Sequence, residues 1–63
     1  MIFGKILEKK KGISKVIYLQ KTRHLLVFFN PKYEEEKIKK KVEEILFNQG
    51  LNKNVDKTTY HKE

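Results

Sequence analysis

The chain has 63 residues, fifteen basic against eight acidic for a formal charge of +7, and it contains no cysteine. That length gives one small domain, expected over residues 1–63 with a frayed tail from about residue 57, and it buries only about 60% of the surface that its unfolded form exposes. Disulfides are excluded, a structural zinc site has only His24 and His61 to draw on, and no stretch approaches the ~20 apolar residues of a membrane span, which leaves oligomerisation as the means of reinforcing a marginal core.

In chain order, Phe3, Ile6 and Leu7 recur with Ile2 at helical spacing, and Lys9-Lys10-Lys11 followed by Gly12 is a helix stop signal, although so short a segment also fits a strand. Ile13–Leu19 is rich in β-branched residues and Leu25–Phe29 is a continuous apolar run. The short polar segment Gln20–His24 between them makes the pair an antiparallel hairpin. Asn30-Pro31 ends the second strand, because proline cannot donate to a ladder. The next helix places Ile38, Val42, Ile45 and Leu46 on one stripe, with Glu34–Glu36 at its positive end and Gly50 just beyond the other. Glu35 and Lys39, Glu36 and Lys40, Lys39 and Glu43, and Lys40 and Glu44 lie four residues apart, the spacing of helix-stabilising ion pairs. Val55, Thr58, Thr59 and Tyr60 suggest a short edge strand.

From Phe3 to Pro31, and again over Val42-Glu43-Glu44-Ile45, the chain resembles the heavy-metal-associated domain family. Phe3 and Leu7 fall on core positions of that family's first helix, Gly12-Ile13 on the start of its hairpin, and Asn30-Pro31 on its usual Asp-Pro. The resemblance implies a small α+β, ferredoxin-like fold: a truncated βαββαβ arrangement reading as αββαβ, with both helices on one face of an antiparallel, hairpin-based sheet. This chain has no counterpart of the family's first strand or of its metal-binding CxxC, and Lys10 stands where a core leucine is common. The resemblance therefore carries architecture without the metal activity, and no metal or cofactor is expected. In the full fold the missing strand lies beside the second strand of the hairpin. Its loss leaves the Leu25–Phe29 edge to be covered by the C-terminal strand, by a second copy, or by another protein.

Side chains alternate faces along a strand. If Val16, Tyr18, Leu25, Val27 and Phe29 face the helices, then Ile17, Leu19, Leu26 and Phe28 face away. Four large hydrocarbons on the outer face of a one-sided sheet form a patch on the order of a few hundred Å2, which marks an interaction surface. Ile17, Leu19, Leu26 and Phe28 are accordingly the candidate protein interface, with a second copy or another protein as the partner.

Enzymatic chemistry fails on inventory: there is no Cys nucleophile, no Gly-rich phosphate loop and no Ser-His-Asp spacing. No small-molecule substrate is evident. His24 reads as a hairpin-loop residue and His61 as part of the tail, both solvated, while Glu34–Glu36 is an acidic first turn of the kind a helix dipole favours. The expected function is that of a non-enzymatic interaction module in the cytoplasm, since Met1–Lys5 lacks the long apolar run of a leader. The alternative is a basic nucleic-acid-binding protein. For that, Lys9, Lys10, Lys11, Lys15, Lys21, Arg23, Lys39, Lys40 and Lys41 are the candidate phosphate contacts, and Phe28 with Tyr18 offers rings for base stacking, although the alternation above puts those two rings on opposite faces. Fourteen of the fifteen basic residues are lysines, hydrated point charges suited to backbone attraction more than to reading base edges.

Overall fold

A computed structural model describes residues 2–63; the placement of the Ile2 side chain lies outside it. The elements run α1 (Ile2–Leu7), β1 (Ile13–Leu19), β2 (His24–Phe29), α2 (Glu35–Asn48), one 3-10 turn (Asn52–Asn54) and β3 (Lys57–Lys62). This is a small α+β fold in the order αββαβ. The first segment is a helix, and Gly12 at φ 95° ends the turn that follows it. A Cβ at Gly12 would come within 3.1 Å of Ile38 and 3.2 Å of Tyr33, so glycine serves both the left-handed backbone and the close approach.

The sheet is mixed, in the order β1-β2-β3, where the sequence suggested an antiparallel one. β1 and β2 form the expected antiparallel hairpin, while β3 runs parallel to β2 with Leu25 opposite Thr58 and Val27 opposite Tyr60. The return through α2 supplies the long crossover that a parallel pair of neighbouring strands needs. The chain's own C-terminus thus covers the Leu25–Phe29 edge, and the free edges belong to β1 and β3. Pairing continues to Lys62, past the point where the sequence placed a frayed tail.

One core joins the elements. Phe3 and Leu7 of α1, Ile13 and Val16 of β1, Leu25, Val27 and Phe29 of β2, and Ile38, Val42 and Leu46 of α2 form a single buried cluster. Strict alternation would turn Ile13 and Val16, three residues apart, to opposite faces. The register slips between Ile13 and Lys15, a β-bulge that brings both inside. Helix α2 begins at Glu34, whose backbone is extended and whose side chain makes no cap, so favourable charge in the first turn comes from Glu35 and Glu36. It ends in a Schellman motif. Leu51 N–H donates to Leu46 O at 2.8 Å and Gly50 N–H to Phe47 O at 3.1 Å, with Gly50 at φ 71°. None of the four charge pairs along α2 closes to 4 Å; among the described residues the ion pair lies elsewhere, between Arg23 and Asp56. No described helix is long and apolar enough to cross a membrane.

Candidate functional site

Both helices pack on the same side of the sheet, because the buried strand residues belong to the cluster that contains Ile38, Val42, Phe3 and Leu7. The other side carries no helix. Its side chains form three rows across the strands, set by the register: Lys15, Phe28 and His61; Ile17, Leu26 and Thr59; Leu19, His24 and Lys57. Ile17, Leu19, Leu26 and Phe28 therefore lie next to one another on the outer face, as the alternation predicts. Ile17, Leu26 and Phe28 are partly shielded by their sheet neighbours, and Leu19 is 42% exposed.

This face has an internal order that the sequence did not reveal. The hydrocarbons occupy the β1 and β2 columns, while the β3 column is Lys57, Thr59 and His61. Phe28 stacks on His61 with ring centroids 5.2 Å apart and planes inclined by 22°. His24 Nε2 lies 2.6 Å from Thr59 Oγ1. Both histidines are therefore strand residues on the outer face, where the sequence suggested a loop and a tail. The three rows contain no carboxylate.

Tyr18 does not join Phe28. It faces the helices, its ring 4.4 Å from that of Phe3, and its hydroxyl donates to Asn54 O at 2.6 Å. The two rings proposed for base stacking thus sit on opposite faces, as strand alternation requires.

Arg23, another of the candidate phosphate contacts, makes bonds within the chain. It ends the hairpin turn at φ 56°, and its guanidinium donates to the backbone carbonyls of Lys53 and Asn54 and lies 3.5 Å from the Asp56 carboxylate. Its own carbonyl accepts from Asp56 N–H at 2.8 Å. The one arginine thus fastens the hairpin turn to the approach of β3, a long-range role that no local pattern announces.

The lysines are dispersed over the surface, with one concentration. Lys15 is on the outer sheet face, Lys21 in the hairpin turn, and Lys39 and Lys40 on α2 beside Glu35, Glu36 and Glu43. Lys9, Lys10 and Lys11 follow α1, where Lys10 and Lys11 share a shallow hollow with Lys41.

The free edge of β1 is partly protected, because Glu8, just past α1, accepts the Val16 N–H at 3.0 Å. On the other edge strand, Tyr60 faces α2. Burial first, then the Glu43 and Glu35 carboxylates, push its phenol up from 10.0 to about 12. Since the folded value is the higher one, its contribution to stability is complete below pH 10 and is lost as pH rises from about 10 toward 12. Tyr60→Phe should therefore remove part of the alkaline loss of stability. Urea unfolding at pH 9 and at about pH 11 checks this: equal losses in both proteins would show that the phenol plays no part.

Among the described residues, no three His, Asp or Glu side chains come together as a metal-binding set. No protein-family model, curated protein or solved structure that was compared with the chain matches it.

Proposed function

We propose that the chain is a non-enzymatic interaction module, a metal-free variant of the ferredoxin-like heavy-metal-associated type, which associates with a second copy of itself through the outer face of its sheet. The observation that carries this reading is the block of Ile17, Leu19, Leu26 and Phe28 on a sheet face that no helix covers. The αββαβ order, with β3 parallel to β2, supports the ferredoxin-like comparison, because a full sheet of that type places these same two strands parallel on either side of the absent one.

The layout of the face supports a second copy as the occupant. An isologous contact sets the same patch against itself. With the two-fold axis over the β1 and β2 columns, the two hydrocarbon blocks meet, and the Lys57 and His61 of each copy are carried to opposite ends, away from their equivalents. Fully burying an exposed Leu, Ile or Phe side chain contributes about 1.5–3 kcal/mol; Ile17, Leu26 and Phe28 start partly shielded, so the eight side chains together contribute a fraction of that sum, set against an association cost of about 4–15 kcal/mol.

Each copy carries +7, and that repulsion falls as salt screens it. Self-association should therefore strengthen with salt. Light scattering over a concentration series at low and high salt tests the proposal. A dimer that tightens with salt is expected; a chain that stays monomeric at high micromolar concentration in both conditions would refute it.

A further inference from the structure

On the helical side, at the junction of α1 and α2, two hollows adjoin and share Lys10 and Ile45. Lysines 5 and 9 line the first hollow, and lysines 11 and 41 the second. Five lysines from two distant stretches of sequence thus converge on one concave strip. Helical spacing produces the α2 side of it: Lys41, Ile45 and Asn48 fall on one flank, at intervals of four and three residues. The acidic residues of α2 lie mainly on the other flank, where Glu35, Glu36 and Glu43 gather with Lys39 and Lys40. Glu44 is the one carboxylate lining either hollow, and nearby Glu8 is engaged by the Val16 N–H. Five lysines against one lining carboxylate make this strip locally basic, whereas the lysines of the other α2 flank are interleaved with glutamates.

We infer that this strip is a docking track for the phosphate backbone of nucleic acid, bound without regard to base sequence. Nothing in it reads bases. Both hollows lack arginine and aromatic side chains, and the chain's one arginine lies in the hairpin turn, bonded to the approach of β3. Lysine ammonium groups neutralise phosphates as point charges and release condensed counterions, while the amides of Asn48 and Gln49 in the first hollow supply neutral donors to sugar and phosphate oxygens. An anionic membrane surface fits less well. Charge alone attracts lysines to anionic lipid, but apolar insertion adds much of the affinity of interfacial helices, and here Ile6 and Ile45 are partly buried between the helices. Phe47, which does project from α2, lines a separate hollow with Asn52 and Val55. The track lies on the opposite side of the molecule from the outer sheet face, so it stands or falls independently of self-association.

The test is fluorescence anisotropy with labelled mixed-sequence single-stranded RNA, single-stranded DNA and duplex DNA. With about four phosphates neutralised, affinity for duplex should fall about a hundredfold between about 50 and about 200 mM salt and should differ little among unrelated sequences. Two triple variants of equal net charge localise the site. Lys9→Gln, Lys10→Gln and Lys41→Gln together should reduce affinity at low salt at least tenfold, whereas Lys39→Gln, Lys40→Gln and Lys62→Gln together should retain most of it. Circular dichroism confirms that both are folded. Absence of binding at low salt, or equal losses in the two triples, would overturn the inference. It would also be overturned by phosphatidylserine vesicles binding more tightly than nucleic acid with the same lysines required, which would make the strip a membrane contact. Loss of nucleic-acid binding in a Phe28→Glu variant as large as in the first triple would move the site to the sheet face.

Discussion

Phe28→Glu combined with Leu26→Lys is expected to give a folded chain that no longer associates. Both side chains stand on the outer face of the central strand, next to Ile17 and His61 and away from the core. Replacing them removes up to about 1.5–3 kcal/mol per side chain from each copy's share of the contact, less what partial shielding already takes, so the dissociation constant should rise at least about a hundredfold. The monomer loses little: mainly the Phe28 and His61 stack, worth about 0.5–1.5 kcal/mol. Lys40→Glu on exposed α2 should leave stability nearly unchanged and should not weaken association, since it lowers the repulsion between copies. Sedimentation equilibrium gives the association constant and thermal circular dichroism the stability. A double variant that associates like the parent would remove the outer face from the contact, and one that unfolds would show that these side chains belong to the core.

Phe29→Ala is expected to unfold much of the population without help from denaturant. The side chain is fully buried at the end of β2, between Ile13 on one side and β3 on the other. Truncating a buried phenylalanine costs about 3–5 kcal/mol. At roughly 0.05–0.15 kcal/mol per residue, a chain of this size has a reserve of the same order. The comparison is Phe47→Ala, which removes the same atoms from a site that is 71% exposed and should change stability by less than about 0.5 kcal/mol. Urea titrations of the two variants separate the cases. Similar midpoints would mean that the two rings are not in such different environments.

Most of the fold was legible where its signal was local. The hairpin followed from two apolar runs with a short polar gap, and α2 from the spacing of Ile38, Val42, Ile45 and Leu46, because burial of one face imposes a period that single residues cannot hide. Alternation alone also assigned the two faces of the hairpin. The bulge at Ser14 was not legible, since it depends on how Ile13 and Val16 pack against the helices. Strand β3 was only half seen: Thr58 to Lys62 has little apolar rhythm, and its pairing with β2 is set by the return path through α2. The anchoring of Arg23 to Lys53, Asn54 and Asp56, and the convergence of Lys5 to Lys11 with Lys41, join residues about thirty positions apart. No spacing rule reaches that far. The adjacency of Ile17, Leu19, Leu26 and Phe28 was legible because they lie within one hairpin, whereas the basic strip emerges only once α1 and α2 are brought together.

The most direct measurement is an isotope-filtered NOE experiment on a mixture of labelled and unlabelled chain at high micromolar concentration. Association through the outer sheet face predicts intermolecular NOEs that connect Phe28 and Leu26 of one copy with Ile17, Leu19 or Leu26 of the other. Intermolecular NOEs confined to Phe47 or to the helical side, or none at all at a concentration where light scattering finds only monomer, would contradict it.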